Sequence, residues 1–267
     1  MTPELAGADL GPPIARGRTA EIFALPPDRI VKLFDEWIGP DDVRREAEIA
    51  RAVHAAGVPS PAVGDVVQMD DRTGIVYARV EGQSMLAALA RRPWQLRRHA
   101  QRLAALHAQM HALEMPATVP DQQATLARKI GQAGALSAPQ RDAALAALAA
   151  MPTGTQLCHG DFHPDNVMLT AAGPVIIDWL DATRGRPAAD VARTSIILRA
   201  AAETDQLRNP LQRALVRAFH HAYLAHYVRL RPGEEAEYRR WLPLVAAARL
   251  SEGIPEVEAW LVKMAGG

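Results

Sequence analysis

Two aspartates and one asparagine near the middle of the chain are spaced for phosphate chemistry. Asp161 lies in the run Leu157-Cys158-His159-Gly160-Asp161-Phe162-His163-Pro164-Asp165-Asn166-Val167-Met168-Leu169, and Asp178 closes the later run Val175-Ile176-Ile177-Asp178. The apolar stretches read as short strands, with a turn at Ala172-Gly173. The polar residues between them form a loop that presents its carboxylates and amide at a strand mouth, facing a cleft. Hard oxygen ligands of this kind suit Mg²⁺ on a nucleotide's phosphates. A further carboxylate beside them suits receipt of an acceptor's proton.

The order Asp, then Asn, then Asp follows the kinase layout of a catalytic aspartate and two metal-binding residues. At these positions the chain resembles the aminoglycoside phosphotransferase family of small-molecule kinases. That family's H-G-D-x-x-x-x-N loop stands here as His159-Gly160-Asp161-Phe162-His163-Pro164-Asp165-Asn166, and its I-D-[FW] strand as Ile177-Asp178-Trp179. Gly185-Arg186-Pro187-Ala188-Ala189-Asp190-Val191-Ala192 resembles its G-x-P-x-x-D-[LV]-A continuation. The resemblance implies a phosphoryl transfer in which Asp161 takes the acceptor's proton while Asn166 and Asp178 hold Mg²⁺. It implies ATP as donor, with GTP left open, and a small-molecule hydroxyl as acceptor. After Asp178-Trp179 there is neither the D-F-G glycine nor an A-P-E segment, which argues against a protein substrate.

A kinase needs a phosphate-binding lysine, a carboxylate to hold it and a turn to cover the phosphates. Ile30-Val31-Lys32-Leu33-Phe34 is a strand-like run interrupted by Lys32; the alternative for that lysine is an edge-strand side chain in solvent. Before it, Ile14 to Leu25 reads as strand, turn at Gly17, strand, resembling the family's G-R-T-A-E-[IV] form, with Gly17 and Thr19 at the phosphates. By itself that turn is also an ordinary hairpin. Residues 41–57 read as a helix capped by Asp41 or Asp42 and ended by Gly57. Val43, Glu46, Ile49, Ala50 and Val53 share one face, while Glu48 lies about 160° away at roughly 100° per residue. A carboxylate on an apolar face needs a partner, and Lys32 is the expected one.

A hairpin over 62–80 and a cap at Ser84 follow. The fold expected is α+β and two-lobed, protein-kinase-like. Residues 1–80 form a nucleotide-binding lobe of antiparallel sheet plus one helix, and 81–267 a mainly helical lobe with the catalytic loop and acceptor site. By order along the chain, Ala78 and Val80 are placed at the adenine edge and Met168 at the apolar floor below it. Helices are expected over 94–113, 121–134, 137–151, 188–202, 209–230, 234–249 and 254–265.

The 267 residues carry 49% hydrophobic side chains and a formal net charge of zero. That content is too high for a disordered chain, and the balance lacks the basic excess of a nucleic-acid binder. No apolar run approaches the ~18 residues of a membrane helix. The N-terminal stretch, with Glu4 and Asp9 and no apolar core, is not read as a secretory signal. The single cysteine, Cys158, reads as buried filler and suits a reducing cytoplasm. Oligomeric state is not legible.

One rival reading uses the same segment. His159, Asp161, His163 and Asp165 alternate and offer N and O ligands to a transition metal, as in a metal-dependent hydrolase. Gly160 and Pro164 interrupt the strand this needs, and Lys32, Glu46 and Asn166 are left without a task. His107 and His111, at i and i+4, are read as packing and surface residues. A catalytically dead kinase fold acting as a binding module is the third reading, opposed by the presence of Lys32, Asp161, Asn166 and Asp178. For the acceptor, residues 191–267 hold 8 Asp/Glu against 11 Lys/Arg, a balance that does not favour a highly cationic compound.

Overall fold

A computed structural model describes residues 10–17, 19–204, 207 and 209–266. Arg18 of the glycine turn, Glu4, Asp9 and Asp205 lie outside the described residues. In chain order the elements are β1 (Ala15–Arg16), β2 (Ala20–Leu25), β3 (Arg29–Phe34), α1 (Pro40–Ala55), β4 (Val63–Met69), β5 (Arg72–Ala78) and β6 (Gln83–Ser84). There follow α2 (Met85–Arg91), α3 (Leu96–Met110), α4 (Gln122–Gly131), α5 (Ala138–Ala149), β7 (Gln156–Cys158), β8 (Val167–Thr170), β9 (Gly173–Ile176) and β10 (Thr183–Gly185). The chain closes with α6 (Pro187–Glu203), α7 (Pro210–Leu230), α8 (Glu235–Arg249) and α9 (Pro255–Met264). It divides into two compact units, one reaching Gln83 and including Val167–Leu180, the other made of Ser84–Asn166 and Asp181–Gly267.

In the first unit five antiparallel strands lie in the order β1-β2-β3-β5-β4. Alternation along β3 sends Val31 and Leu33 to one face, where they pack with Phe23, Val67 and Val76. Lys32 therefore points to the other face, as does Ile75, its partner across the strand pair. Helix α1 packs along β4 and β5 and buries Val43, Glu46, Ala47, Ile49, Ala50 and Val53. Its N-cap is Gly39, with Pro40 in the first turn and no side-chain cap. The expected cap at Asp41 or Asp42 is thus displaced by a proline whose fixed φ suits the first helical position. Gly57, at φ +84, ends the helix as expected. Strands β8 and β9 form a hairpin in the same unit.

The second unit is helical. Helix α3 packs on α7, α6 on both α7 and α8, and α4 on α8, around a core that includes Leu103, Met110, Tyr223, Tyr227 and Trp241. Ser84 caps α2 by accepting from Ala87 N at 3.1 Å. Strands β7 and β10 pair antiparallel, Cys158 opposite Thr183, which brings the chain on either side of the Asp161 loop together. Cys158 is buried, and burial pushes its thiol well above the ordinary range.

Candidate active site

Helix α1 and strand β3 meet at an ion pair. Lys32 Nζ lies 2.6 Å from Glu46 Oε1 and 2.9 Å from Asp178 Oδ1. The Glu46 side chain is 1% exposed, that of Lys32 12%, and that of Asp178 46%, so the cluster opens toward solvent at Asp178. Burial pulls the Lys32 pKa down, but the Glu46 and Asp178 carboxylates outweigh it and hold the ammonium above the ordinary lysine value. Burial raises Glu46, against the opposing pull of Lys32. The Tyr77 hydroxyl reaches the same Glu46 oxygen at 3.5 Å. Asp178 adopts φ +66, a left-handed conformation that aspartate tolerates better than most residues. Trp179 follows it, 2% exposed, with its indole N–H on Ile176 O at 3.3 Å.

The remaining residues named for the nucleotide lie around this sheet. Gly17 N donates to Ala20 O at 2.8 Å, closing the turn between β1 and β2, and Thr19 O accepts from Asp35 N at 2.9 Å. Ala78 ends β5, and its N–H is engaged by Ala62 O at 2.9 Å. Val80 follows two residues later, partly buried. Met168 sits on β8 opposite Val175, also partly buried.

In the second unit the Asp161 loop is held mainly through its backbone. Gly160 adopts φ +79, and a Cβ there would come within 2.3 Å of Asp181 O, so only glycine fits. Asp161 N donates to His159 Nδ1 at 3.2 Å, and Asp165 N to His163 Nδ1 at 3.3 Å. Asn166 donates its amide to Asp161 O at 2.8 Å and to Asp161 Oδ2 at 3.3 Å. Its carbonyl Oδ1 is therefore the atom able to serve as a hard-cation ligand. The Asp161 carboxylate is a third exposed, with His163 Nε2 at 3.4 Å and Arg193 Nη2 at 3.6 Å. Burial would raise its pKa, but the His163 contact and the Arg193 charge prevail and hold it well below the usual carboxylate range.

One face of α6 fixes this loop. Asp190, fully buried, accepts from His159 N at 2.6 Å and Gly160 N at 2.8 Å. Arg193 Nε donates to Gly160 O at 2.9 Å, and Thr194 Oγ1 to Phe162 O at 2.8 Å. These residues stand at i, i+3 and i+4, one helical face. Asp190 is held in turn by His107 Nε2 of α3 at 3.0 Å and by Nε2 of His111, the residue that caps the end of α3, at 3.2 Å. The far ring nitrogens meet the hydroxyls of Tyr223 at 2.6 Å and Tyr227 at 2.7 Å.

His107 and His111 are thus not surface residues. Both are 0% exposed, because their polar edges are satisfied by a buried carboxylate and two tyrosines. Sequence reading reached Asp190 and missed Arg193 and Thr194, although their spacing from Asp190 was a usable signal. Among the described residues, His107, His111 and Asp190 are also the one group of His, Cys, Asp and Glu gathered closely enough to hold a metal ion. His159, Asp161, His163 and Asp165 form no such group.

Beside the loop lies a recess lined by Lys129, Gly160, Asp181, Arg193, Arg249 and Glu252, among others. Lys129 Nζ contacts Asp181 Oδ1 at 2.6 Å, and Glu252 receives Arg193 at 2.6 Å and Arg249 at 3.5 Å.

An antiparallel-sheet unit and a helical unit, with these two clusters, define a kinase-like fold. The chain belongs to the phosphotransferase enzyme family, whose model matches residues 13–232. Among solved structures it is similar to a thermostable mutant of aminoglycoside phosphotransferase APH(4)-Ia in apo form, at 15% identity and a TM-score of 0.66, covering 96% of this chain and 94% of that one. A choline/ethanolamine kinase family protein from Mesorhizobium loti matches at 18% identity and 0.61, covering 98% and 90%. An amicoumacin kinase, hAmiN, in complex with AMP-PNP, Ca²⁺ and Ami, matches at 13% and 0.65, covering 94% and 85%. These likenesses are of fold. No curated protein matches the chain by sequence. Among the described residues no helix is long and apolar enough to cross a membrane.

Proposed function

We propose that the protein is an ATP- and Mg²⁺-dependent kinase that moves the γ-phosphoryl group to a hydroxyl of a small molecule. The observation that carries this reading is the Lys32 ammonium held between buried Glu46 and half-exposed Asp178. A lysine kept charged and oriented in this way suits the α/β-phosphates. The turn at Gly17 and Thr19 covers the phosphates, and the backbone at Ala78 and Val80, with Met168 as apolar floor, receives the base. Asp178 and the Asn166 carbonyl would supply oxygen ligands to Mg²⁺, which prefers hard donors. When bound, the ion neutralises charge developing on the phosphoryl oxygens.

Asp161 is the acceptor's base. Its depressed pKa keeps it ionised at neutral pH, so it accepts the hydrogen bond of the incoming hydroxyl and receives the proton as transfer proceeds. Asp190, Arg193 and Thr194 hold the loop backbone so that this carboxylate does not have to be ordered on binding. Asp161's neighbour Gly160 lines the recess, which we assign to the acceptor. Several relatives were solved with nucleotides, one with ADP and hygromycin B, consistent with a nucleotide and a small-molecule acceptor here. The single cysteine suits a reducing cytoplasm, where we place the protein.

The test is the melting temperature with Mg·ATP, Mg·GTP, Mg²⁺ alone and Zn²⁺ alone. A ligand at 100 times its Kd stabilises by about 2.7 kcal/mol, roughly 2–4 °C for a chain of this size. A Mg²⁺-dependent nucleotide shift is expected. A shift with Zn²⁺ and none with any nucleotide would overturn the kinase in favour of a metal-dependent enzyme.

A further inference from the structure

Between Glu81 and Glu114 the chain carries five arginines and no acid. The formal charge of the whole chain is zero, so this segment is a local excess and not a share of a basic protein. Arg91, Arg92, Arg97, Arg98 and Arg102 are all exposed. Among the described residues the last four make no ion pair. Of the elements packed closely on α2 and α3, α7 and β7 carry no acid, and the turn Pro164–Asn166 carries one, Asp165.

These arginines sit where a helix least favours them. Arg97 and Arg98 fall in the first turn of α3, which holds no acid, and the N-cap Gln95 gives no side-chain cap. The helix dipole repels cations at that end. Arg98 and Arg102 stand at i and i+4 on the outward side, a like-charge pair that weakens a helix. Charges kept against local preference point to a task on the surface and not to folding.

Exposed apolar side chains stand around them. Trp94, in the short turn Pro93–Gln95, is 76% exposed, and Leu86, on the helix packed against that turn, is 50% exposed. The contacts His107–Tyr223 and His111–Tyr227 share an offset of 116 positions, so α3 and α7 run parallel. The same offset sets Leu211, 66% exposed, level with Gln95. An exposed apolar side chain standing singly is ordinary. A tryptophan and two leucines around five arginines form a mixed patch.

We propose that this face docks the protein on an anionic membrane surface, the arginines pairing with lipid phosphates while Trp94, Leu86 and Leu211 enter the interface. A bilayer supplies what the patch combines. Tryptophan suits the headgroup level, leucine the acyl boundary, and guanidinium groups the phosphates of anionic lipids. A nucleic-acid strand uses aromatics in succession, and Trp94 is the one large aromatic exposed in this unit among the described residues. The leucines would offer a strand no stacking face. The proposal is independent of the kinase reading, whose test uses nucleotide alone.

The experiment floats the full chain with vesicles of phosphatidylcholine alone and of equal parts phosphatidylcholine and phosphatidylglycerol. Binding to the anionic vesicles is expected to be at least about tenfold tighter, and to weaken as salt screens the arginines. Arg97→Gln combined with Arg98→Gln should weaken it by about tenfold or more. Trp94→Ala should weaken it several-fold and leave the preference for anionic lipid in place. Neither variant should lower the melting temperature or change its Mg·ATP shift, since glutamine relieves the first turn of α3 and none of these residues belongs to the nucleotide site. Equal binding to both vesicle types, or binding undiminished by either variant, would overturn the proposal. So would tighter binding of poly(dT) or polyglutamate than of anionic vesicles at the same salt, which would assign the patch to a nucleic acid or an acidic protein.

Discussion

Lys32 Nζ and Asp178 Oδ1 stand 2.9 Å apart across 146 positions of sequence. The contact ties the middle strand of the five-stranded sheet to the segment after β9, and Glu46 completes it from α1. Of the three side chains Glu46 has the least contact with water, so its charge depends most on the lysine. Lys32→Met should therefore destabilise the protein by roughly 3–5 kcal/mol, the cost of an uncompensated buried charge. Adding Glu46→Gln should recover part of that loss, since the second substitution removes the orphaned carboxylate. Denaturant midpoints of the two variants measure this. Equal stability of the single and double variants would show that the pair is not coupled.

Asp161→Asn keeps the shape of the side chain and its hydrogen bond with Asn166 in reach, but removes the base. Turnover is expected to fall about 10²–10⁴-fold, while the Mg·ATP melting shift stays within a degree of the parent protein's. Unchanged turnover would remove Asp161 from the proton-accepting role.

Asp190 satisfies two loop N–H groups and two imidazoles at once. Asp190→Ala leaves all four without an acceptor, and a loss of about 3–5 kcal/mol is expected. Thr194→Val removes one hydrogen bond to Phe162 O and should cost only about 1 kcal/mol. Thermal or denaturant unfolding of both variants checks the ranking, and comparable losses would show that the Asp190 network carries no special weight.

Gly160→Ala places a Cβ against Asp181 O in a backbone region that L-residues resist. The loop must shift to accommodate it, so turnover should fall at least tenfold while nucleotide affinity is retained. Wild-type rates for this variant would show the loop to be more yielding than its contacts indicate.

Acid should destabilise the fold in two stages. Burial lowers His111 to about 3 and His220 to about 4. Unfolding releases both toward 6.5, so below that pH the unfolded chain binds protons that the folded one does not. Stability from these groups is complete above pH 6.5 and declines as pH falls, by about 1.4 kcal/mol per unit for each histidine within its window. Asp161 and Asp190 add a further loss at lower pH, because their folded pKa values are depressed. Denaturant unfolding between pH 4 and 8 should show a plateau above 6.5 and a positive slope beneath it; a flat profile would contradict the neutral burial of both histidines.

Much of the molecule was legible from the chain because local periodicity and side-chain chemistry agreed. Alternation in Ile30-Val31-Lys32-Leu33-Phe34 put the lysine on the face away from Val31 and Leu33, and a 3.6-residue period turned Glu46 rather than Glu48 inward. The Asp161 loop was legible from its residue types and their order, whereas the left-handed backbone at Gly160 emerged only in the structure. The expected antiparallel sheet with one helix near the N-terminus, followed by a mostly helical region, is the fold observed, although Val167–Leu180 returns to the sheet-bearing unit; the family resemblance read from three short motifs extends over residues 13–232.

What the sequence could not yield depends on which surfaces meet. His107 and His111 look like ordinary helix residues until α3 lies against α7 and matches them, i and i+4, to Tyr223 and Tyr227, each 116 positions away. Lys129 and Asp181 form an ion pair across 52 residues, and with Arg193, Arg249 and Glu252 they set the charge of the recess. Even the α1 cap was decided outside the usual side-chain rule, by Gly39 before Pro40. Spacing along the chain determined the residue types at the site and the faces they occupy. Packing alone decided which charges neutralise one another, because a Coulomb contact depends on distance in space and on burial, neither of which is encoded by separation in sequence.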